Sequence, residues 1–350
     1  MIEHLLAKNV EVHLLHLRSP ETLERSNNKA FYYPFLSQVP PFKNGSPVVA
    51  SYQEDVELSD YVRAHNINNI FSLSSRSSYH ASFSDITWHA LQHGIDTLGE
   101  NGFDSDHLYI YTRAWVDESR LLVPKYTEIH EVGLYHLGPI ATREEILAKY
   151  GLPRDRKFLF FAPLPGSSGS EYFFLGHNRF DRWLLNRRLI AHEKMLLAQM
   201  SKILKAEGWE LIIKSRFKRF LDPSYAECGH VFYDETFFPS TVNELISISE
   251  AVVCNLMFSA LCTEALELAK PYYVVHHPQH DRQLIPYLDR QIPKLFNPGG
   301  ESDCVSATDL DWIAKLIRGQ LPKQPHARYL NHYLRPPHSQ GLAAFSSHLK

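Results

Sequence analysis

At 350 residues the chain is long for a single core and suits two domains of roughly 150 residues each. Its formal net charge of -3 excludes the overall basic field that nucleic acid or an anionic membrane would require, so any anion-binding surface has to be local. Four cysteines (Cys228, Cys254, Cys262, Cys304) form neither a C-x-x-C pair nor a metal spacing, and no apolar run has the length of a spanning helix. The expectation is a soluble, cytoplasmic protein without a signal peptide.

The chain opens on "MIEHLLAKN", an amphipathic helix, followed by the strand "VEVHLLHL", so it enters an α/β unit at a helix and a first strand is missing or supplied elsewhere. Ser19 before Pro20 and Glu21 marks a helix start. "GSPVVASY" and "INNIFSLSS" read as strands flanking the helix "VELSDYVRAHN", and "TWHALQHGID" breaks at Gln92-His93-Gly94. After "HLYIYTRAWVDESRLL" and the strand "EIHEVGLYHLG", Thr142 caps a helix that Gly151 closes and Pro153 stops.

"KFLFFAP" then has the continuous apolar character of a strand buried on both faces of a parallel sheet. From there strand and helix alternate through a long amphipathic helix, "WELIIKSRF", "HVFYD", "STVNELISISE", "AVVCNLMFS", "ALCTEALELAK" and "PYYVVHHP". The pattern predicts an α/β protein with a doubly wound parallel sheet in each half. A hinge falls near residues 139 to 157.

Ligands of such sheets bind beyond the carboxyl ends of the strands, which directs attention to the residues there. "APLPGSSGSEY" places Gly166, Ser167 and Ser168 at a strand end, either as a phosphate cradle of free N–H groups or as a connector; it contains no G-K-[ST] and no G-x-G-x-x-G. In "IIKSRFKRF", Lys214 and Arg216, with Lys218 and Arg219 behind them, either neutralise a diphosphate or form a solvated basic face. Ser259, Thr263 and Glu264 surround a strand-to-helix junction, where a hydroxyl suits phosphate and a glutamate suits a sugar or ribose hydroxyl; a plain helix cap has the same composition.

His276, His277 and His280 invite a metal, yet no carboxylate or cysteine completes the set, so a turn lining a cleft is preferred and no metal is expected. In "QHGID", His93 has the pKa range of a general base, and Asp96 either orients it or replaces it. Gln92 and Gly94 would then line the same cleft.

Together these segments resemble the CDP-glycerol glycerophosphotransferase-like group and the related capsular and cell-surface polysaccharide glycosyltransferases of the GT-B fold, from about residue 60 onward. "QHGID" resembles the family's "HG" segment, "EEILAKYGLPRDRKFLFFAP" its helix and strand opening the nucleotide domain, and "LIIKS" its "lIiKPHP". "LISISEAVVCN" and "SALCTEALELAKPYYVV" resemble "llxxaDvvItD" and "SSxxxEa...kPvi", with Ser259 and Glu264 at the family's spacing. "SQGLAAFSSHL" is similar to the closing helix. The chain departs where Ser215-Arg216 replaces Pro-His, where Cys254-Asn255 replaces Thr-Asp, and where "EVGLYHLG" lacks the family's Arg-x-Asp.

The resemblance implies two Rossmann-like domains facing across a cleft: an acceptor-side domain at 1-140, a nucleotide-donor domain at 141-325, and a terminal helix at 326-350 returning to the first. It further implies an inverting, metal-independent transfer from a CDP-, CMP- or UDP-linked donor to a glycan or polymer hydroxyl, with His93 or Asp96 as base. No tightly bound cofactor is implied. A CDP-alditol phosphotransferase, a sugar-nucleotide 2-epimerase and an inactive nucleotide-binding scaffold are the alternatives. "RWLLNRR" offers either a peripheral membrane contact or a solvated face, and contact with a synthase complex is a separate reading.

Overall fold

The structure is a computed structural model, described for residues 2–17, 44–45, 48–52, 54–73, 75–79, 83–92, 104–119, 123–134, 137, 140–163, 179–215, 221–233, 241–255, 261–276, 304–321, 326–337, 341, 343–347 and 349. The chain divides into two compact units. One contains Met1–Leu137 and Arg328–Lys350, the other Gly138–Glu235 and Pro239–Ala327. The strands are numbered β1 to β12 in chain order.

The first unit is built on two parallel sheets. β1 (His13–Leu17) pairs with β2 (Val48–Tyr52), while β3 (Asn69–Ser72), β4 (Thr87–Leu91), β5 (His107–Ile110) and β6 (Glu128–Glu131) lie in sequence order in a four-stranded sheet. Alternation along the strands divides their side chains between two cores. Trp88, Ala90, Leu108 and Ile110 pack with Phe83, Val116 and with Leu58 and Val62 of the helix Asp55–Ala64. On the other face Leu91 and Tyr109 meet Val132, Phe71, Ala344 and Phe345.

Those last two residues belong to the terminal helix Ala343–Ser347, so the end of the chain covers a sheet formed near its start. A π-helical turn at Leu330–Leu334 fastens the same segment, because the carbonyls of a last helical turn lack partners within the helix and can accept from outside donors. Thr112 Oγ1 donates to the His332 carbonyl and Trp115 Nε1 to that of Tyr333, each at 2.6 Å.

In the second unit β7 (Lys157–Ala162), β8 (Trp209–Lys214), β9 (His230–Phe232), β10 (Ala251–Cys254), β11 (Tyr272–His276) and β12 (Cys304–Ser306) form one parallel sheet in the order β12-β11-β10-β7-β8-β9. The chain starts in the middle at β7, winds outward through β8 and β9, then returns to the other side of β7 to add β10 onward. This is the doubly wound arrangement, with its switch point between β7 and β10.

Both faces of this sheet are covered, which explains why Phe158, Leu159, Phe160 and Phe161 are consecutive, apolar and fully buried. One face packs Leu159, Phe161, Leu211, Ile213 and Val253 against Leu196, Leu197, Met200 and Leu204 of the long helix Arg179–Ala206. The helix Arg143–Tyr150 enters this unit through a capping box. Thr142 Oγ1 accepts from the Glu145 amide while the Glu145 carboxylate accepts from the Thr142 amide, and Gly151 closes the helix at φ 64°. Gly229 is required for a different reason: a Cβ there would lie 2.5 Å from the Leu211 carbonyl oxygen, where β9 begins beside β8.

Candidate functional site

The switch point of the second unit places the ends of β7 and β10 side by side, with Ala162 in register with Cys254. The next residue, Asn255, donates its amide N–H to the Ala162 carbonyl at 3.0 Å and so continues the ladder by one step. Its side chain turns inward. Asn255 Nδ2 donates to Glu193 Oε2 at 2.5 Å, and the Tyr225 hydroxyl donates to Glu193 Oε1 at 2.5 Å.

Glu193 is fully buried on the helix Arg179–Ala206, where a carboxylate survives only if its oxygens are matched by donors. This group was not identified from the sequence, although a signal existed. Glu193 sits four residues after Leu189 and four before Leu197, a charge in the middle of an apolar stripe. The arrangement anchors the floor of the switch point.

Lys214 ends β8, the strand beside β7. Its side chain is buried and Nζ donates to the Ser215 carbonyl at 2.8 Å, so the amino group lies within the strand end instead of on an exposed basic face. Thr263 is also buried, and its hydroxyl donates to Glu264 Oε2 at 2.9 Å in the short helix Leu261–Glu267 that follows β10. Glu264 itself is partly exposed. His276 ends β11 and is exposed. The carboxyl ends of β8, β10 and β11 thus carry a lysine, an asparagine and a histidine, with a carboxylate on the helix after β10.

Of the other predicted positions, His93, Gly94, Asp96, Gly166, Ser167, Ser168, Arg216, Ser259 and His277 lie outside the described residues, as do the helix start at Ser19, Lys218, Arg219 and His280. Gln92 lies just beyond the end of β4. It is fully buried, its amide N–H donates to the Tyr109 carbonyl at 2.9 Å, and its side-chain oxygen accepts from the Tyr111 amide at 2.8 Å. The side chain therefore extends the β4–β5 ladder beyond the strand ends, where a buried amide would otherwise be unmatched.

The first unit has its own charged framework. Arg76 reaches Asp104 Oδ1 at 2.9 Å and Asp106 Oδ2 at 3.0 Å, and Tyr126 donates to Asp104 Oδ1 at 2.7 Å. The hydrogen bond from Arg76 holds the Asp104 carboxyl below the usual carboxylate range; burial opposes it, and the hydrogen bond from Tyr126 lowers the value further. These contacts fix the segment entering β5. A cavity of about 470 Å³ lies nearby between β1 and β3, lined by His13, Leu15, His65, Ile70, Tyr79 and Trp88 among others; none of the residues predicted from the sequence borders it.

No protein-family model matches the chain, and no curated protein does. Solved structures do. The wall teichoic acid polymerase TagF superposes with a TM-score of 0.52 at 15% identity, over 97% of this chain and 88% of that one. A TagF variant soaked with CDPG gives a TM-score of 0.54 at 13% identity, covering 96% of this chain and 86% of that one. At such identity the likeness concerns architecture: the chain has the two-domain, Rossmann-like GT-B type of fold.

Proposed function

We propose that the chain is a glycosyltransferase that moves a sugar from a CDP-, CMP- or UDP-linked donor to a hydroxyl of a cell-surface polysaccharide or glycan. The observation that carries this reading is the switch point between β7 and β10, because doubly wound sheets bind nucleotides at that place and here it is flanked by Lys214, Asn255 and Glu264. Lys214 offsets diphosphate charge at the end of β8. Glu264 accepts hydrogen bonds from sugar or ribose hydroxyls, as its partial exposure permits.

The transfer is inverting and metal-independent. His93, or Asp96 in its place, takes the proton of the acceptor hydroxyl; the acceptor oxygen bonds to the anomeric carbon as the carbon–oxygen bond to the nucleotide breaks. The electron pair goes to the departing phosphate, and the charge developing there is what Lys214, Arg216 and the N–H groups of Gly166, Ser167, Ser168 and Ser259 would stabilise. Residues 1-140 take the acceptor side, 141-325 the donor, and the polymer acceptor places the work at the inner face of a membrane.

A second reading is favoured by the fold likeness to TagF: transfer of an alditol phosphate from a CDP-alditol. In that case the attacked atom is phosphorus and the leaving group is CMP. A thermal-shift series with CDP-, CMP-, UDP-, GDP- and dTDP-linked donors separates the two and tests both, since a bound donor raises stability by mass action. Stabilisation by a nucleotide-sugar supports the first reading and stabilisation by CDP-glycerol or CDP-ribitol the second; no shift with any donor would leave a scaffold without nucleotide chemistry.

A further inference from the structure

We propose that His107, Glu128 and His130 form a binding site for one divalent cation of the zinc class on the first unit. The site is created by strand register. In the parallel β5–β6 pair His107 lies opposite Glu128 and Tyr109 opposite His130, so Glu128 and His130, two apart, share the face that carries His107. The three residues are brought together although 23 residues separate the two histidines.

The distances suit a shared metal. His107 Nδ1 lies 3.1 Å from His130 Nε2 and 3.5 Å from Glu128 Oε2, and all three donor atoms lie within 4.8 Å of one another. Two ligand atoms bound tetrahedrally to zinc at its usual nitrogen and oxygen distances are about 3.4 Å apart. A single proton on His107 Nδ1 can serve the histidine or the carboxylate, whereas a cation in the same place serves all three lone pairs. Glu128, largely exposed, supplies the negative charge, a path for entry and the freedom to close the third distance.

The rings are held in place from behind. His107 stacks on His89 with centroids 4.8 Å apart and planes 16° from parallel, and His130 stacks on Tyr109 at 4.8 Å and 27°. His89 donates from Nε2 to Asn69 Oδ1 at 3.0 Å, so its Nδ1 is the acceptor for the Tyr109 hydroxyl at 3.2 Å. Supporting contacts of this kind hold ligand rings in orientation at metal sites.

His107 and Glu128 are the first residues of their strands, whereas Gln92 marks the opposite, carboxyl end of the sheet. The cation would thus clamp β5 to β6 and take no part in transfer. It is an addition to the metal-free chemistry expected from the sequence, and its test does not depend on that chemistry.

Titrating chelator-treated full-length protein with Co²⁺ provides the test, because Co²⁺ with four or five ligands absorbs strongly in the visible and six-coordinate Co²⁺ does not. The expected result is a visible band saturating at one Co²⁺ per chain, abolished by equimolar Zn²⁺ and insensitive to Mg²⁺. Glu128→Gln and His107→Gln should each weaken binding at least tenfold, the scale already seen for loss of supporting contacts around a metal. Glu128→Gln changes an exposed side chain, and an unchanged circular dichroism spectrum confirms that the variant folds. A weak six-coordinate spectrum, or a strong band unaffected by both substitutions, would overturn the proposal in favour of binding elsewhere among the 20 histidines.

Discussion

Asn255 and Glu193 are joined by a 2.5 Å hydrogen bond from the side-chain amide to the carboxylate, beneath the switch point of the second unit's sheet. Glu193 has no exposure, and the Tyr225 hydroxyl donates to its second oxygen at 2.5 Å. Glu193→Ala would strand two buried donors and leave a void, a loss of about 3 kcal/mol. Glu193→Gln keeps an oxygen and the volume and should cost about 1–2 kcal/mol. Urea unfolding of both variants checks the order, and a Glu193→Gln as stable as the wild type would show that the carboxylate charge is not what Asn255 and Tyr225 require.

The terminal segment should behave as part of the first unit's core. Phe345 stacks on Tyr109 at 4.6 Å and is fully buried, so Phe345→Ala should cost about 3–5 kcal/mol. Trp115→Phe removes only the bond to the Tyr333 carbonyl and should cost about 1 kcal/mol. Thermal melts of both, with hydrogen exchange of β5, would reveal whether the loss falls on this sheet.

The capping box offers a local comparison in the other unit. Thr142→Ala should lower stability by about 1 kcal/mol through loss of the Glu145 amide's acceptor. Gly151→Ala should cost a similar ~1 kcal/mol because the residue has φ 64°, although the space around its Cβ is open. Calorimetric unfolding of the two variants tests the pair, and a neutral Gly151→Ala would mean that the helix can end without a left-handed residue.

The Arg76–Asp104 contact sets an acid limb. The Asp104 carboxyl is depressed in the folded chain, chiefly by its hydrogen bond from Arg76, so its contribution is complete above the ordinary aspartate value of about 4 and disappears as pH falls through the lower folded value. Stability of the wild type should therefore decline more steeply than that of Arg76→Gln as pH drops below about 4. Denaturant titrations from pH 5 downward measure the difference; parallel curves would show that the guanidinium does not hold the carboxylate.

Much of the architecture was legible from local signals. Thr142 with Glu145 three residues on, Gly151 with Pro153 behind it, and the unbroken KFLFFA run each carry a physical requirement that few other arrangements satisfy. Gln92 was recognisable as a break, but its role was not: the amide it satisfies belongs to Tyr111, reached only through the pairing of β4 with β5. The same limit hid the His107–Glu128–His130 cluster, which depends on register. Spacing drew attention instead to the sequential His276 and His277. Lys214 was identified as a strand-end cation, while its burial against the Ser215 carbonyl follows from packing that no motif encodes. Glu193 was visible only as a charge on an apolar stripe.

The most direct test of the central claim is calorimetric titration of the full chain with CDP, UDP and their glycosyl or alditol conjugates, alongside Lys214→Met and His93→Ala. The account predicts saturable one-to-one binding of at least one nucleotide, weakened at least tenfold by Lys214→Met, which removes a charge-assisted contact of about 1.5–3 kcal/mol. His93→Ala should keep that binding and lose transfer. Absence of binding by every nucleotide, or affinity unchanged in Lys214→Met, would contradict the assignment of the β7–β10 switch point as the donor site.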